Sequence, residues 1–188
     1  MKTKKKHSPI FYVAHTFSER HHIRDKVIPE LQKLGIETVN PFYEKDGSWK
    51  KNRPEVKLAD ELGRDAEAME IFTSKVVNRH ENIVETDLDL IRSVDGIIAF
   101  MPEGSTGTTC EIWTCGGIFK WLAKRGYSMK EFLGKPVFLV TTTTRLFTHP
   151  WIQYACVRVF RTERGLIGYL KRELPRIRQQ VEDRRDGK

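Results

Sequence analysis

The sequence is poor in cysteine and contains no long apolar run. Its 188 residues include three cysteines, Cys110, Cys115 and Cys156, with no CxxC spacing. This usage argues against a structural zinc site and is typical of a reducing compartment, so we expect a cytoplasmic protein. The longest apolar stretches, 97–101 and 137–140, are too short to span a bilayer, and no apolar segment follows the N-terminal lysines. We therefore expect neither a membrane partner nor a secretory signal.

Acidic residues are outnumbered, but the positive excess is confined to the two ends of the chain. The sequence carries 33 Lys and Arg against 25 Asp and Glu, a formal net charge of +8. Residues 1–6 hold four lysines and no acid, and residues 158–188 hold ten Lys or Arg and five acids, which leaves the body nearly neutral. No basic stripe interleaved with aromatics and no zinc-finger or RNP pattern is present. We expect solvated ends and do not expect nucleic acid as the main partner.

Length and composition predict one globular domain. With 39% hydrophobic and 31% charged residues, the chain can bury a core without disulfides or metals. We place this domain at 9–180, between a basic N-terminal tail at 1–8 and a charged C-terminal tail at 181–188.

Apolar runs alternate with helical periodicities along the domain. Strands are predicted at 10–14, 36–39, 96–100, 136–140 and 156–160. Helices are predicted from an N-cap at Ser18 to Gly35, and at 55–78, 80–94, about 108–124 and 163–180. Such alternation forms βαβ units, so we expect a single α/β domain with a parallel sheet of about five strands and helices on both faces. Ligands of these sheets bind beyond the carboxyl ends of the strands.

A loop of small residues, 104–108 (GSTGT), lies between the third strand and the following helix. Small side chains let backbone N–H groups approach a ligand, and the first turn of a helix has unpaired donors and a partial positive charge. The loop lacks the GK[ST] of a P-loop and the GxGxxG of a dinucleotide site. We interpret the loop as a binding site for one phosphate group, held by Ser105, Gly107 and Thr108, and call it the phosphate seat. The alternative is that the loop is a plain turn.

Two carboxylates each allow a structural and a catalytic interpretation. Glu111 stands three residues after Thr108, so the pair matches a capping box at a helix start. A Glu that instead points into the cleft can attack a sugar carbon and form a glycosyl intermediate. Asp87 falls on an apolar helical stripe with Leu90 and Val94, either at the edge of the stripe or buried to hold a proton. Spacing leaves both alternatives open.

Four blocks of the sequence, in their order and spacing, resemble the nucleoside 2-deoxyribosyltransferase family, which includes the nucleoside 5′-monophosphate N-glycosidases. They are FYVAHTF (11–17), TDLDLIRSVDGIIAF (86–100), GSTGTTCEIW (104–113) and KPVFLV (135–140). The resemblance implies a flavodoxin-like (Rossmann-like) sheet and a homodimer or larger oligomer. It also implies a catalytic Glu at Glu111, an Asp that handles the base or its proton at Asp87, and a Tyr beside the nucleophile at Tyr12.

The position six residues before the Glu separates two kinds of member in this family. Members that act on free nucleosides commonly carry an Asp there, which takes the sugar 5′-hydroxyl; Ser105 stands there in this chain, as in the nucleotide-hydrolysing members. A carboxylate would repel a 5′-phosphate, whereas a hydroxyl and helix N–H groups accept it. We therefore expect hydrolysis of a nucleoside 5′-monophosphate to free base and (deoxy)ribose 5-phosphate.

Supporting residues are expected at the ends of the first two strands. His15 and Arg20 are expected to add charge near the phosphate, and Asn40, Phe42 and Tyr43 to lie against the base. No metal or organic cofactor is expected, because the leaving base needs only a proton. Base exchange is the nearest alternative activity, and a non-catalytic nucleotide-sensing module is the alternative of another class.

Overall fold

A computed structural model describes residues 7–50, 80–118, 121–122, 124–126 and 135–186. The helix predicted at 55–78 and Phe119 lie outside these ranges. No helix within the described ranges is long and apolar enough to cross a membrane.

Five strands in the described ranges form one parallel sheet. They are β1 (Ile10–His15), β2 (Glu37–Val39), β3 (Gly96–Phe100), β4 (Val137–Val140) and β5 (Arg158–Phe160). Their order is β2-β1-β3-β4-β5, and every neighbouring pair is parallel. This is the flavodoxin-like order, which confirms the predicted fold class. The winding reverses between β1 and β3, so the crevice at their carboxyl ends is where such sheets bind ligands.

Helices connect the strands and cover both faces of the sheet. They are α1 (Arg20–His22), α2 (Ile28–Lys33), α3 (His80–Ser93), α4 (Thr106–Ile112), α5 (Thr144–Phe147), α6 (Pro150–Ala155) and α7 (Glu163–Arg185). A π-helical turn, Ile23–Val27, joins α1 to α2, and another, Trp113–Ile118, continues α4. The short helices α5 and α6 were not predicted, and β2, β4 and β5 begin one or two residues later than predicted.

Alternation along the strands divides the core into two layers. In β1, Phe11 and Val13 face α2 and α7, whereas Tyr12 and Ala14 face α3, α4 and α6. Strands buried on both faces read as continuous apolar runs, which is why β1 and β3 were recognisable in the sequence. The face that Tyr12 joins is the one that carries the candidate site.

The helix after β1 does not begin with its predicted cap. Ser18 lies in a 3₁₀ turn and its hydroxyl pairs with Oγ1 of Thr16 at 2.9 Å, whereas Glu19 occupies the N-cap position of α1 without a side-chain cap bond. The prediction of Ser18 as N-cap is therefore wrong. The helix stops at Gly35 as predicted, where the backbone adopts a φ of +73°, a conformation that glycine reaches without steric cost.

The last helix is longer than the predicted 163–180. Helix α7 continues to Arg185, and Val181 is buried four residues after buried Ile177, so the apolar stripe of the helix extends past 180. Arg185 forms a salt bridge with Asp95 at 2.7 Å, and the Asp95 carboxylate also accepts the backbone N–H of Ile10 at 2.8 Å. These bonds tie the end of α7 to the start of β1.

Candidate active site

Three side chains from three elements meet on one face of the sheet. Tyr12 of β1 is 1% exposed, and its hydroxyl donates to Oε1 of Glu111 in α4 at 2.7 Å. The same hydroxyl lies 3.4 Å from Oδ1 of Asp87 in α3. A phenol has one proton, and the shorter contact is the one that takes it. The three groups predicted to be catalytic therefore lie within hydrogen-bonding distance of one atom.

Local periodicity explains why these side chains point to the same place. Asp87 lies four residues before Ile91, which is fully buried, so both project from the face of α3 that packs on the sheet. Glu111 lies four residues before Cys115, which is also buried. Both carboxylates are only partly buried. Both helices thus turn these carboxylates toward the sheet, where the Tyr12 hydroxyl lies.

The start of α4 bears on the capping-box interpretation of Glu111. Ser105 is the N-cap residue, and its Oγ accepts the backbone N–H of Thr108 at 3.4 Å. Thr108 is thus inside the helix, and Glu111 lies beyond the first turn. The capping-box interpretation of Thr108 and Glu111 is wrong, because the N-cap is Ser105, three residues before the Thr108 that the sequence match required.

The start of α4 exposes backbone N–H groups and small residues. The backbone N–H groups of Thr106 and Gly107 meet no acceptor among the described residues, and both residues are exposed. A Cβ at Gly104 or Gly107 would meet nothing within 4 Å, so a ligand can approach the backbone closely. The N–H of Thr108, one of the predicted donors, is already bonded to the Ser105 hydroxyl oxygen.

His15 is a buried, neutral residue. Its Nδ1 donates to the carbonyl of Thr16 at 2.8 Å, so its Nε2 accepts from Nδ2 of Asn40 at 3.2 Å. Burial lowers its pKa from 6.5 to about 4. The prediction that His15 adds charge to the phosphate is wrong, because at neutral pH the ring is uncharged and both nitrogens are engaged. Within the described ranges, no three His, Cys, Asp or Glu side chains gather that could hold a metal ion.

The residues predicted to contact the base are packed into the protein. Asn40 is 6% exposed, and its Oδ1 accepts the backbone N–H groups of Phe42 and Tyr43. Phe42 is 7% exposed and meets the His15 ring edge-on, at 5.2 Å between ring centroids. We therefore assign Asn40 and Phe42 a structural role in the turn that follows β2.

Arg20 and Tyr43 pack against the same turn. Tyr43 is 3% exposed and packs on Trp49, with ring centroids 4.9 Å apart. Arg20 is 2% exposed, and its guanidinium carbon lies 5.7 Å from the centre of the Trp49 ring. Arg20 is thus part of this packing, and its expected contribution of charge near the phosphate stays a prediction.

Sequence reasoning missed the threonines that follow β4. The hydroxyl of Thr143 donates to the carbonyl of Pro102, and that of Thr142 lies 3.4 Å from the same oxygen. Pro102 belongs to the loop that leads from β3 into α4. The run of four threonines at 141–144, directly after a buried strand, was the available signal.

No protein-family model and no curated protein matches the chain. Among solved structures, the chain is similar to a 2-deoxyribosyltransferase from the psychrotolerant bacterium Bacillus psychrosaccharolyticus. The two are 17% identical, and the match covers 85% of this chain and 91% of that chain with a TM-score of 0.48. At this identity no site residue can be carried from one chain to the other.

Proposed function

We propose that the protein hydrolyses the N-glycosidic bond of a nucleoside 5′-monophosphate, releasing the free base and (deoxy)ribose 5-phosphate. The observation that carries this proposal is the 2.7 Å hydrogen bond from Tyr12 to Glu111, with Asp87 3.4 Å from the same hydroxyl. Glycosyl transfer requires one carboxylate that acts as a nucleophile and a second, nearby carboxylate that donates and accepts protons.

The seat at the start of α4 supports a phosphorylated substrate. The N–H groups of Thr106 and Gly107, together with the Ser105 hydroxyl, provide hydrogen bonds where the helix carries its partial positive charge. Helical rise places Ser105 about 9 Å from Glu111 along the axis. The Glu111 side chain tilts back toward the helix start, which shortens this span to one suited to a sugar with a 5′-phosphate.

The proposed reaction has two steps. In the first, a Glu111 carboxylate oxygen attacks C1′, the bond from C1′ to the base nitrogen breaks, and the base leaves with that electron pair and a proton from Asp87. In the second, water attacks C1′, its proton passes to Asp87, and the ester to Glu111 breaks. Tyr12 orients Glu111 and stabilises its negative charge by its hydrogen bond, before attack and after release.

The test is release of free base from a panel of nucleosides and their 5′-monophosphates, followed by liquid chromatography. The proposal predicts base and sugar phosphate from at least one nucleotide, with the parent nucleoside a much poorer substrate. Release from nucleosides alone would contradict the phosphate seat, and release from neither would contradict the activity.

A second free base in the same incubation separates hydrolysis from base exchange. Both reactions share the glycosyl ester on Glu111 and differ in whether water or a base attacks it. Hydrolysis predicts sugar phosphate alone, whereas a new nucleotide would identify a transferase.

We also propose that the chain forms a homodimer or larger homo-oligomer. Ile118, Trp121 and Trp151 are 46%, 48% and 62% exposed, unusually open for large apolar side chains that line one groove. Light scattering on the purified protein measures the mass directly, and a monomer at micromolar concentration would contradict this assignment.

A further inference from the structure

The loop between β3 and α4 is held at both of its ends. At its start, the Pro102 carbonyl accepts the Thr143 hydroxyl. At its end, the Ser105 carbonyl accepts both the N–H of Thr109 at 3.0 Å and its hydroxyl at 2.6 Å. Between these two points, Glu103 and Gly104 are exposed. The position of the seat therefore depends on the two fixed carbonyls.

The segment 141–144, which contains Thr143, is itself tied by hydrogen bonds. Its N–H donates to Oγ1 of Thr141, which is 1% exposed, at 3.2 Å. Arg161, which follows β5, donates to the Thr142 carbonyl at 3.1 Å and to Oγ1 of Thr144 at 3.2 Å. A series of hydrogen bonds thus runs along the carboxyl edge of the sheet, from β5 through the threonines to Pro102.

We propose that Thr143 is a positioning residue for the phosphate seat: its hydroxyl fixes Pro102 and thereby the backbone amides that begin α4. This inference rests on the proposed function. Loss of the hydroxyl leaves the Pro102 carbonyl with only the longer contact to Thr142 at 3.4 Å and lets the loop shift, which weakens contacts to the phosphate while the Tyr12–Glu111 pair stays in place. The expected signature is therefore selective, with nucleotide binding affected and nucleoside binding spared.

The test compares Thr143→Val with Thr143→Ser, each combined with Glu111→Gln so that substrate is bound without turnover. Thr148→Val is the matched control, because its hydroxyl also donates to a backbone carbonyl, that of Thr144 at 3.0 Å, but away from the loop. Calorimetry with a nucleoside 5′-monophosphate and its parent nucleoside measures both affinities. Hydrogen exchange of a peptide covering 101–108 reports the loop itself.

Thr143→Val should weaken nucleotide binding about fivefold or more, the scale of one hydrogen bond, and change nucleoside binding less than about twofold. It should speed exchange in 101–108, and Thr143→Ser should restore both properties. Equal losses for both ligands, no loss, or failure of Thr143→Ser to restore binding would each overturn the inference. A base-release panel that succeeds on nucleotides while these variants show no selectivity would reject the role of Thr143 and leave the proposed function standing.

Discussion

The hydroxyl of Tyr12 donates to Oε1 of Glu111 at 2.7 Å, across 99 positions of sequence. A hydrogen bond of this length to a carboxylate fixes the orientation of the acid. It also gives the Glu111 carboxylate a side-chain partner in place of the backbone N–H that a capping role would require. The bond is the structural basis for treating Glu111 as a nucleophile.

Tyr12→Phe should reduce turnover about 10- to 100-fold and leave the fold intact. The substitution removes the donor to Glu111 but keeps the ring in the core, and a hydrogen bond to a charged group contributes about 1.5–3 kcal/mol. Tyr169→Phe, on the opposite face of the sheet, is the matched control and should keep full turnover. Base release measured under kcat conditions checks both, and an unchanged Tyr12→Phe rate would remove Tyr12 from the site.

His15 makes stability depend on pH between about 6.5 and 4. Because burial lowers its folded-state pKa to about 4, the unfolded chain takes up a proton first as the pH falls, and the folded state loses stability. The loss attributable to His15 is about 3 kcal/mol across this window. Urea titrations at pH 7 and pH 4 should show a smaller difference for His15→Gln than for wild type. His149→Gln, at an exposed position, should retain the wild-type difference; equal differences for all three proteins would refute the assignment.

One of the three thiols should react readily in the folded protein. Cys110 is exposed, whereas Cys115 and Cys156 are buried, and burial raises the pKa of the Cys115 thiol to about 12. A thiol reagent at neutral pH should therefore titrate one group quickly and the other two only after denaturation. Cys110→Ser should abolish the fast phase. A fast phase that survives this substitution would show that a buried thiol is accessible.

Asp95→Ala should cost about 2–3 kcal/mol of unfolding free energy. The substitution leaves the N–H of Ile10 without its acceptor and Arg185 without its ion partner. Asp89→Ala, which breaks a solvent-exposed pair with Arg92, is the control and should cost about 0.5 kcal/mol or less. Denaturant unfolding compares the two, and equal effects would show that the tie between α7 and β1 contributes little.

The three central strands, β1, β3 and β4, were predictable because they are buried on both faces. The runs at 10–14 and 96–100 are apolar without interruption, and no other element type of that length fits them. The ends of the helices were harder to predict, because the position of a cap depends on which residue leaves the helical conformation first. The T-x-x-E match at Thr108 was therefore a poor guide, and Ser105 three residues earlier proved to be the cap.

The candidate site was predictable only in part. Tyr12, Asp87 and Glu111 were selected as candidates from the sequence, and the fold brings them to one point. The burial of His15 depends on packing against Phe42, 27 positions away, which no local pattern reports. The contact of Thr143 with Pro102 likewise depends on the neighbouring carboxyl ends of β3 and β4.

The most direct test of the central claim compares Glu111→Gln with wild type in base release from the best nucleotide, with nucleotide affinity measured in parallel. Glutamine keeps the shape and the hydrogen bond from Tyr12 but cannot attack C1′. We predict that turnover falls at least about a thousandfold while affinity stays within about threefold. Glu103→Gln, an exposed acid on the loop before α4, should keep wild-type turnover. Undiminished base release by Glu111→Gln would contradict the account.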